Sequence, residues 1–168
     1  EAVEGVLAAL QTVSGNDTGC GLLMLGDKGG DCTIGLAGQA GIQRVYCVTS
    51  KESVGRSEPA VAALLASEAL KGCGQEDGPQ LILTPAGPEG EELAARIAFQ
   101  KGARALGRCE RIGFEEGQLV ATRSAWGDRK RLKLSVGGGF AVACLRAGKP
   151  MLDSSRPAAE KADIPVSV

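Results

Sequence analysis

The chain has 168 residues, a net charge of −1 and 43% hydrophobic residues, of which few are aromatic. This length suffices for one domain, whose core must be built from Ala, Val, Leu and Ile. The sequence contains no basic stripe with interleaved aromatic residues, which argues against nucleic acid as the main partner. No apolar run is long enough to span a bilayer, so we predict no membrane span.

The sequence contains no histidine, which is the most common general base and metal ligand. Its six cysteines are widely spaced and form no C-x-x-C pair, so we predict no metal site. Cys20, Cys47 and Cys144 lie in apolar runs and are expected to be buried thiols. Buried, unpaired cysteines are typical of proteins in a reducing compartment, where we expect this chain to act. No set of residues predicts a catalyst, and we name no catalytic residue.

The first 70 residues alternate between helical and strand patterns. The patterns predict a helix over 2–13, a strand over 20–25, a helix over 31–40, a strand over 44–48 and a helix over 61–70. Pro59 stands where a helix can begin, because its missing N–H is not needed in the first turn. The polar segments 14–19 and 49–58 are predicted to be loops.

The stretch from Leu81 to Gly102 predicts a strand, a turn and a helix. Residues 81–83 are a short apolar run between prolines, as in a parallel strand covered on both faces. Residues 84–90 hold two prolines and two glycines, which neither a strand nor a helix interior favours. Acidic residues crowd the start of the helix and complement its dipole. The inner face is predicted to contain Leu93, Ala94, Ile97 and Ala98.

After residue 102 the pattern changes to alternating strands. Turns are predicted at 115–117 and 127–128, and strands over 118–126, 131–136 and 140–145. This half is expected to be antiparallel, or to form a mixed edge of the main sheet. The whole chain therefore predicts an α/β fold, a three-layer αβα sandwich with a mainly parallel sheet. We expect one domain over 1–150 and an extended C-terminal tail over 151–168.

The turn between the predicted strand and helix has two interpretations. Its backbone N–H groups lie at the mouth of the sheet, where α/β proteins bind ligands, so Thr84, Gly87, Gly90 and Glu91 are candidate cofactor-binding residues. The plainer interpretation is an ordinary connection with a capped helix. The neighbouring carboxylates would repel a phosphate.

Three segments, in order, resemble the N-terminal domain of the electron transfer flavoprotein α subunit. They are LILTPAGPEGEELAARIA at 81–98, GQLVATRSAWG at 117–127 and GFAVACLRAGK at 139–149. The resemblance implies a fold like that of the adenine-nucleotide α-hydrolases. It also implies FAD, though only in a complete assembly, because nothing after Lys149 matches the C-terminal domain that holds most FAD contacts in this family. AMP is a further candidate ligand, held by the 84–91 loop if the chain is a stand-alone nucleotide-binding module.

The resemblance implies a scaffold in flavin-mediated electron transfer between dehydrogenases and an acceptor. The partners would be a β-like subunit and acyl-CoA or other dehydrogenases, in the cytoplasm or, in a eukaryote, the mitochondrial matrix. Such a chain is an electron-carrier component more than an enzyme. Two alternatives stay open: a stand-alone adenine-nucleotide-binding module, and an α/β interaction domain without a ligand.

Arg123 and Trp126 complete the set of candidate cofactor-binding residues. An arginine near a flavin or a phosphate can stabilise negative charge, and in the resembling family this segment faces the small subunit. The alternative is that Arg123 forms a surface ion pair and that Trp126 is a hydrophobic plug.

Three other features have plain interpretations. We expect Arg96 to pair with Glu92 one helical turn away rather than to face a partner subunit, which is the alternative. Residues 128–131 are expected to form a solvated hairpin tip. Cys109 lies between Arg108 and Arg111, which could lower the pKa of its thiol, but we predict that it is inert.

Overall fold

The computed structural model describes residues 2–13, 21–25, 30–49, 58–71, 80–145 and 148–166. Within these ranges the chain forms four helices and nine strands. The helices are α1 (Ala2–Val13), α2 (Gly30–Gln39), α3 (Pro59–Ala69) and α4 (Pro88–Lys101). The strands are β1 (Gly21–Leu25), β2 (Arg44–Thr49), β3 (Gln80–Thr84), β4 (Arg104–Cys109), β5 (Arg111–Glu115), β6 (Gln118–Ala125), β7 (Lys130–Val136), β8 (Phe140–Leu145) and β9 (Glu160–Pro165).

The predicted helices and strands are found in their predicted order, and β4, β5 and β9 are additional strands that the sequence did not predict. Cys20, the predicted loop at 14–19 and most of that at 49–58 lie outside the described residues. One boundary was wrong by a few residues. Thr84 is the last residue of β3, and α4 already begins at Pro88. The turn is therefore shorter than the 84–90 segment that the prolines and glycines suggested.

Both ends of α4 follow from its sequence. Pro88 occupies the first turn, where the missing N–H of proline is harmless. Gly102 ends the helix in the left-handed conformation, with φ 61°, which a residue without Cβ adopts readily. The predicted inner face is confirmed, because Ala94, Ile97 and Ala98 are buried and Leu93 packs against the same cluster.

The strands form three three-stranded sheets. In the first, β2 is central and pairs in parallel with β1 and β9. In the second, β8 is central and pairs in parallel with β3 and β4. In the third, β6 pairs antiparallel with β5 and β7. Antiparallel pairing is thus confined to β5–β7, and β8 belongs to the parallel part of the fold.

The first hairpin turn confirms its prediction in detail. Glu116 and Gly117 join β5 to β6, and both have positive φ angles of 51° and 76°. Positive φ at both central residues matches the twist of the flanking strands. The turn fixes the register that points Leu119 and Ala121 of β6 into the core, where they are fully buried.

Strand β8 lies in the middle of three layers. On one face Val142 and Cys144 pack against buried residues of α3 and α4. On the other, Ala141, Ala143 and Leu145 pack in one cluster with α1 and with residues of the antiparallel sheet. A strand covered on both faces needs a continuous apolar sequence, which explains why β8 contains no polar side chain other than a thiol.

The C-terminal segment runs along the first sheet and its helices. Gln11 of α1 holds Met151 through two hydrogen bonds of 2.6 and 2.8 Å to its carbonyl oxygen and amide. Gly38 of α2 allows the backbone of the C-terminal segment to approach the helix closely, because a Cβ on Gly38 would lie 2.1 Å from the carbonyl oxygen of Pro157. Residues 160–165 then form β9 beside β2. The expected tail therefore includes a strand; the domain boundary at residue 150 stays a prediction.

Candidate functional site

The carboxyl ends of three parallel strands bring the first group of candidate residues together. Thr84, at the end of β3, lies opposite Cys144 of β8, and Cys144 lies opposite Arg108 of β4. In open α/β sheets ligands bind at this edge. The turn from β3 to α4 covers it, as the sequence predicted.

Thr84 is buried and its hydroxyl is already engaged. Its Oγ1 donates a hydrogen bond of 2.9 Å to the carbonyl oxygen of Gly90, and lies 3.0 Å from the Sγ of Cys144. A hydroxyl has one proton to donate, so Thr84 has none left for a ligand in this arrangement. The contact joins the end of β3 to the first turn of α4.

The two candidate glycines are required by backbone geometry. Gly87 precedes α4 with φ 124°, a conformation that residues with a side chain rarely adopt. A Cβ on Gly90 would lie 1.7 Å from the carbonyl oxygen of Pro85. The space beside Gly90 is therefore filled by the chain's own backbone.

Charge at the start of α4 is arranged in exposed pairs. Glu91 lies 3.9 Å from the guanidinium of Arg108, a loose contact. Glu92 accepts two hydrogen bonds from Arg96, of 2.9 and 2.7 Å, and the predicted helical pair is thereby confirmed. The carboxylates lie at the positive end of the helix dipole, which they stabilise.

Arg123 lies apart from that turn, on the core-facing side of β6. Its Nη1 donates a hydrogen bond of 3.1 Å to the carbonyl oxygen of Leu106 in β4. Its Nε is buried and has no hydrogen-bond partner. Among the described residues no carboxylate forms an ion pair with it. The expected alternative, a surface ion pair, is therefore not what the structure shows.

Strand β4 is shaped around the guanidinium of Arg123. The pairing of β4 with β8 shifts register between Ala105 and Gly107, and Gly107 has a φ of 70°. A Cβ on Gly107 would lie 3.0 Å from Nη1 of Arg123. An irregularity of this kind redirects a strand locally, and here it leaves room for a cation.

Trp126 lies on the exposed turn between β6 and β7. Its side chain is 67% exposed, which is incompatible with a hydrophobic plug within this chain. The Nζ of Lys130 lies 5.5 Å from the centre of its ring. Its φ of 52° is unusual for a bulky residue. Residues 126–131 are all exposed, so the prediction of a solvated hairpin tip is confirmed.

The buried thiols are poor nucleophiles. Burial raises the pKa of the Cys109 thiol to about 11, although the positive charge of Arg123 acts in the opposite direction. Burial also raises the pKa of Cys144 and Cys47. The flanking arginines of Cys109 point outward and do not reverse this effect. The thiols are therefore protonated at neutral pH, as expected for inert cysteines.

Sequence reasoning missed the part that β4 plays. Its carbonyl at Leu106, its irregularity at Gly107 and its exposed Arg108 touch residues from both candidate groups. The available signal was a glycine inside a strand pattern, which often marks a bulge or the close approach of another group. No group of His, Cys, Asp and Glu in the described ranges could hold a metal ion.

The sequence was compared with models of known protein families. A model of the electron transfer flavoprotein domain matches residues 3–166, from α1 to the residue after β9. The chain belongs to the electron transfer flavoprotein domain family. Its fold and the resemblance of its three segments agree with the N-terminal domain of the α subunit. A search of curated proteins found no match to this electron transfer flavoprotein domain.

The family places this domain among proteins that transfer electrons with the help of a flavin. None of its described helices is long and apolar enough to cross a membrane.

Proposed function

We propose that this electron transfer flavoprotein domain is the α-type scaffold of a flavin-dependent electron carrier. It pairs with a β-like subunit and, in a complete assembly, helps to enclose FAD. Electrons then pass through that assembly between acyl-CoA or other dehydrogenases and an acceptor. The observation that carries the proposal is the family match, which extends over nearly the whole chain.

The chemistry of the described residues supports a scaffold more than a catalyst. The sequence has no histidine, and Cys109 and Cys144 have raised pKa values. The buried hydroxyl of Thr84 donates to the backbone. When bound, the flavin supplies the redox chemistry; this chain contributes surfaces and charge around it.

The candidate residues differ in how well they suit an anionic cofactor. Arg123 fits, because it is a partly buried cation with an unsatisfied Nε. The turn that contains Thr84, Gly87, Gly90 and Glu91 fits less well, because the hydroxyl of Thr84 is internally bonded and acidic side chains follow it. In the proposed assembly Arg123 faces the cofactor's negative charge, and the turn contributes shape.

Trp126 supports the proposed pairing with a second chain. Large apolar side chains that are exposed in a monomer are enriched at interfaces, and tryptophan is foremost among them. The 67% exposure of Trp126 at the tip of a hairpin gives a partner an anchor of this kind. We propose that this hairpin lies against the β-like subunit.

The single tryptophan of the chain allows a direct test. The chain is labelled with 5-fluorotryptophan and mixed with an unlabelled β-like subunit and a C-terminal FAD domain. We expect a 1:1 complex on size-exclusion chromatography, a shifted fluorine resonance and a flavin absorption spectrum. Replacing Arg96, whose partner lies on its own helix, with glutamine serves as the control and leaves all three unchanged. A chain that stays monomeric and colourless in this mixture contradicts the proposal.

The stand-alone adenine-nucleotide module is the competing function. It requires the turn after β3 to bind AMP or ATP without a partner. Titration of the chain alone with AMP, monitored by the melting temperature of the chain, separates the two functions. A higher melting temperature with AMP, together with no change on adding FAD and the β-like subunit, favours the module. No response to any of them favours an interaction domain without a ligand.

The cysteines support a reducing compartment as the place of action. Cys32, Cys47, Cys109 and Cys144 are all free thiols, whereas oxidising compartments favour disulfides. We propose the cytoplasm, or the mitochondrial matrix in a eukaryote. Fractionation of cells that produce the chain with a small tag tests this location.

A further inference from the structure

Among the described residues, the guanidinium of Arg123 donates only one hydrogen bond. A guanidinium has five N–H donors in a planar fork, and one of them reaches the carbonyl oxygen of Leu106 at 3.1 Å. The Nε is buried without a partner. Native proteins rarely leave a buried donor unsatisfied, so each such case needs an explanation.

Two acidic residues near β4 are paired with other cations. Glu110 is adjacent, because its amide donates to the carbonyl oxygen of Thr122 at 2.8 Å. Its carboxylate, however, accepts a hydrogen bond of 2.8 Å from Arg131 on the outer face of the sheet. Glu91 lies beside Arg108. Among the described residues no carboxylate compensates the charge of Arg123, so its guanidinium is available to an anionic ligand.

The backbone holds the guanidinium in place for that role. The register shift in β4 and the positive φ of Gly107 create the space that it fills. The hydrogen bond to Leu106 fixes its orientation. An arginine held in this way loses little conformational entropy when it binds, and its fork matches the oxygens of a phosphate.

We propose that Arg123 and the irregular segment of β4 around Gly107 form a binding site for one phosphate group, either free or carried by a nucleotide or flavin. The inference deepens the proposed function at one residue and rests on it for the cofactor as a source of the phosphate. The turn after β3 is not part of this site, because its acidic side chains repel an anion.

Phosphate binding is measured on the chain alone by isothermal titration calorimetry at constant ionic strength. Inorganic phosphate is compared with AMP, FAD and acetate. We expect phosphate to bind and acetate to bind more weakly. If AMP or FAD binds more tightly than inorganic phosphate, the site takes a phosphate carried by a nucleotide or flavin. If they bind equally, the site takes the free ion. Replacing Arg123 with methionine weakens binding by about tenfold or more, the loss of one charge-assisted hydrogen bond. The control R96Q binds like the wild type.

Two results overturn the site: no phosphate binding by the wild type, or equal binding by R123M. If R123M does not fold, the ¹H–¹⁵N spectrum of the arginine Nε–H groups of the wild type decides. The Arg123 signal is expected to move with added phosphate, and a fixed signal refutes the site. Neither readout needs a partner subunit, so a failure here is distinguishable from a failure of the proposed pairing.

Discussion

The hydroxyl of Thr84 donates its hydrogen bond to the carbonyl oxygen of Gly90 across six residues of chain. The contact is buried, and it fixes the first turn of α4 against the end of β3. Thr84 thus holds together the edge of the sheet at which α/β proteins bind ligands.

We expect replacement of Thr84 by valine to destabilise the chain by about 0.5–1.5 kcal/mol, because one buried hydrogen bond to the carbonyl oxygen of Gly90 is lost while the side-chain shape is kept. Urea unfolding followed by circular dichroism measures the change. Thr122, partly buried in β6, provides the matched control: T122V is expected to stay within about 0.5 kcal/mol. Equal stability of T84V and the wild type would show that the hydrogen bond has no net effect.

Gly90 and Gly5 form a second matched pair, since both lie in helices. A Cβ on Gly90 would meet the carbonyl oxygen of Pro85 at 1.7 Å, whereas one on Gly5 of α1 would meet nothing within 4 Å. We expect G90A to lose about 1–3 kcal/mol or more through overpacking. We expect G5A to gain about 0.5–1 kcal/mol, because alanine favours a helix. Thermal unfolding of both variants tests this, and a G90A variant as stable as G5A contradicts it.

The stability of the chain is expected to fall between about pH 9 and about pH 11. Burial raises the pKa of Cys109 from 9.0 to about 11, so in this range the folded state binds more protons than the unfolded state. Stability therefore decreases with rising pH. The variant C109A is expected to lose less stability over this range than the wild type. Urea midpoints at several pH values measure the difference, and parallel curves would rule out this titration.

Thiol alkylation gives a separate test of the same burial. Cys32 is exposed and Cys109 is buried, so iodoacetamide at pH 8 is expected to modify Cys32 first. Mass spectrometry of the digested chain gives both rates. Modification of Cys109 at the rate of Cys32 would mean that the flanking arginines activate it after all.

Strand β9 is expected to be necessary for the first sheet. A chain that ends at Arg156 lacks the strand and also Val166, whose burial alone stabilises the fold by about 1.5–3 kcal/mol. We expect a lower urea midpoint and a broader transition. The matched variant E160Q removes only the exposed ion pair with Arg44 and is expected to cost less than about 1 kcal/mol. A truncated chain with wild-type stability contradicts the importance of β9.

Local patterns were enough to predict the helices, strands β1–β3 and β6–β8 and both hairpin turns, but not β4 and β5. Leu132 and Leu134 alternate with charged or polar residues, and Gly102 marks the end of α4. Strand β9 escaped prediction because EKADIP is mostly exposed and has only a weak apolar alternation. Residues 160–165 form a strand because they pair with the edge of β2. This tertiary contact cannot be predicted from residue propensities.

The candidate site likewise has one part that the sequence predicted and one part that it did not. The turn after β3 was recognisable from its prolines and glycines, and the structure explains them by φ angles and close approach. The environment of Arg123 was not recognisable, because its neighbour Leu106 is 17 residues away and contributes a carbonyl, which no side-chain motif reveals. Trp126 and Arg123, three residues apart in one motif, occupy an exposed tip and a partly buried strand.

The parallel pairing of β2 with β9 has a consequence for how the chain matures on the ribosome. Arg44 lies opposite Glu160, so 116 residues must be synthesised before this edge can close. Until then β2 offers unpaired N–H and C=O groups to any passing strand, and the nascent chain is exposed to misassembly. This edge of β2 is therefore protected only after β9 has emerged from the ribosome.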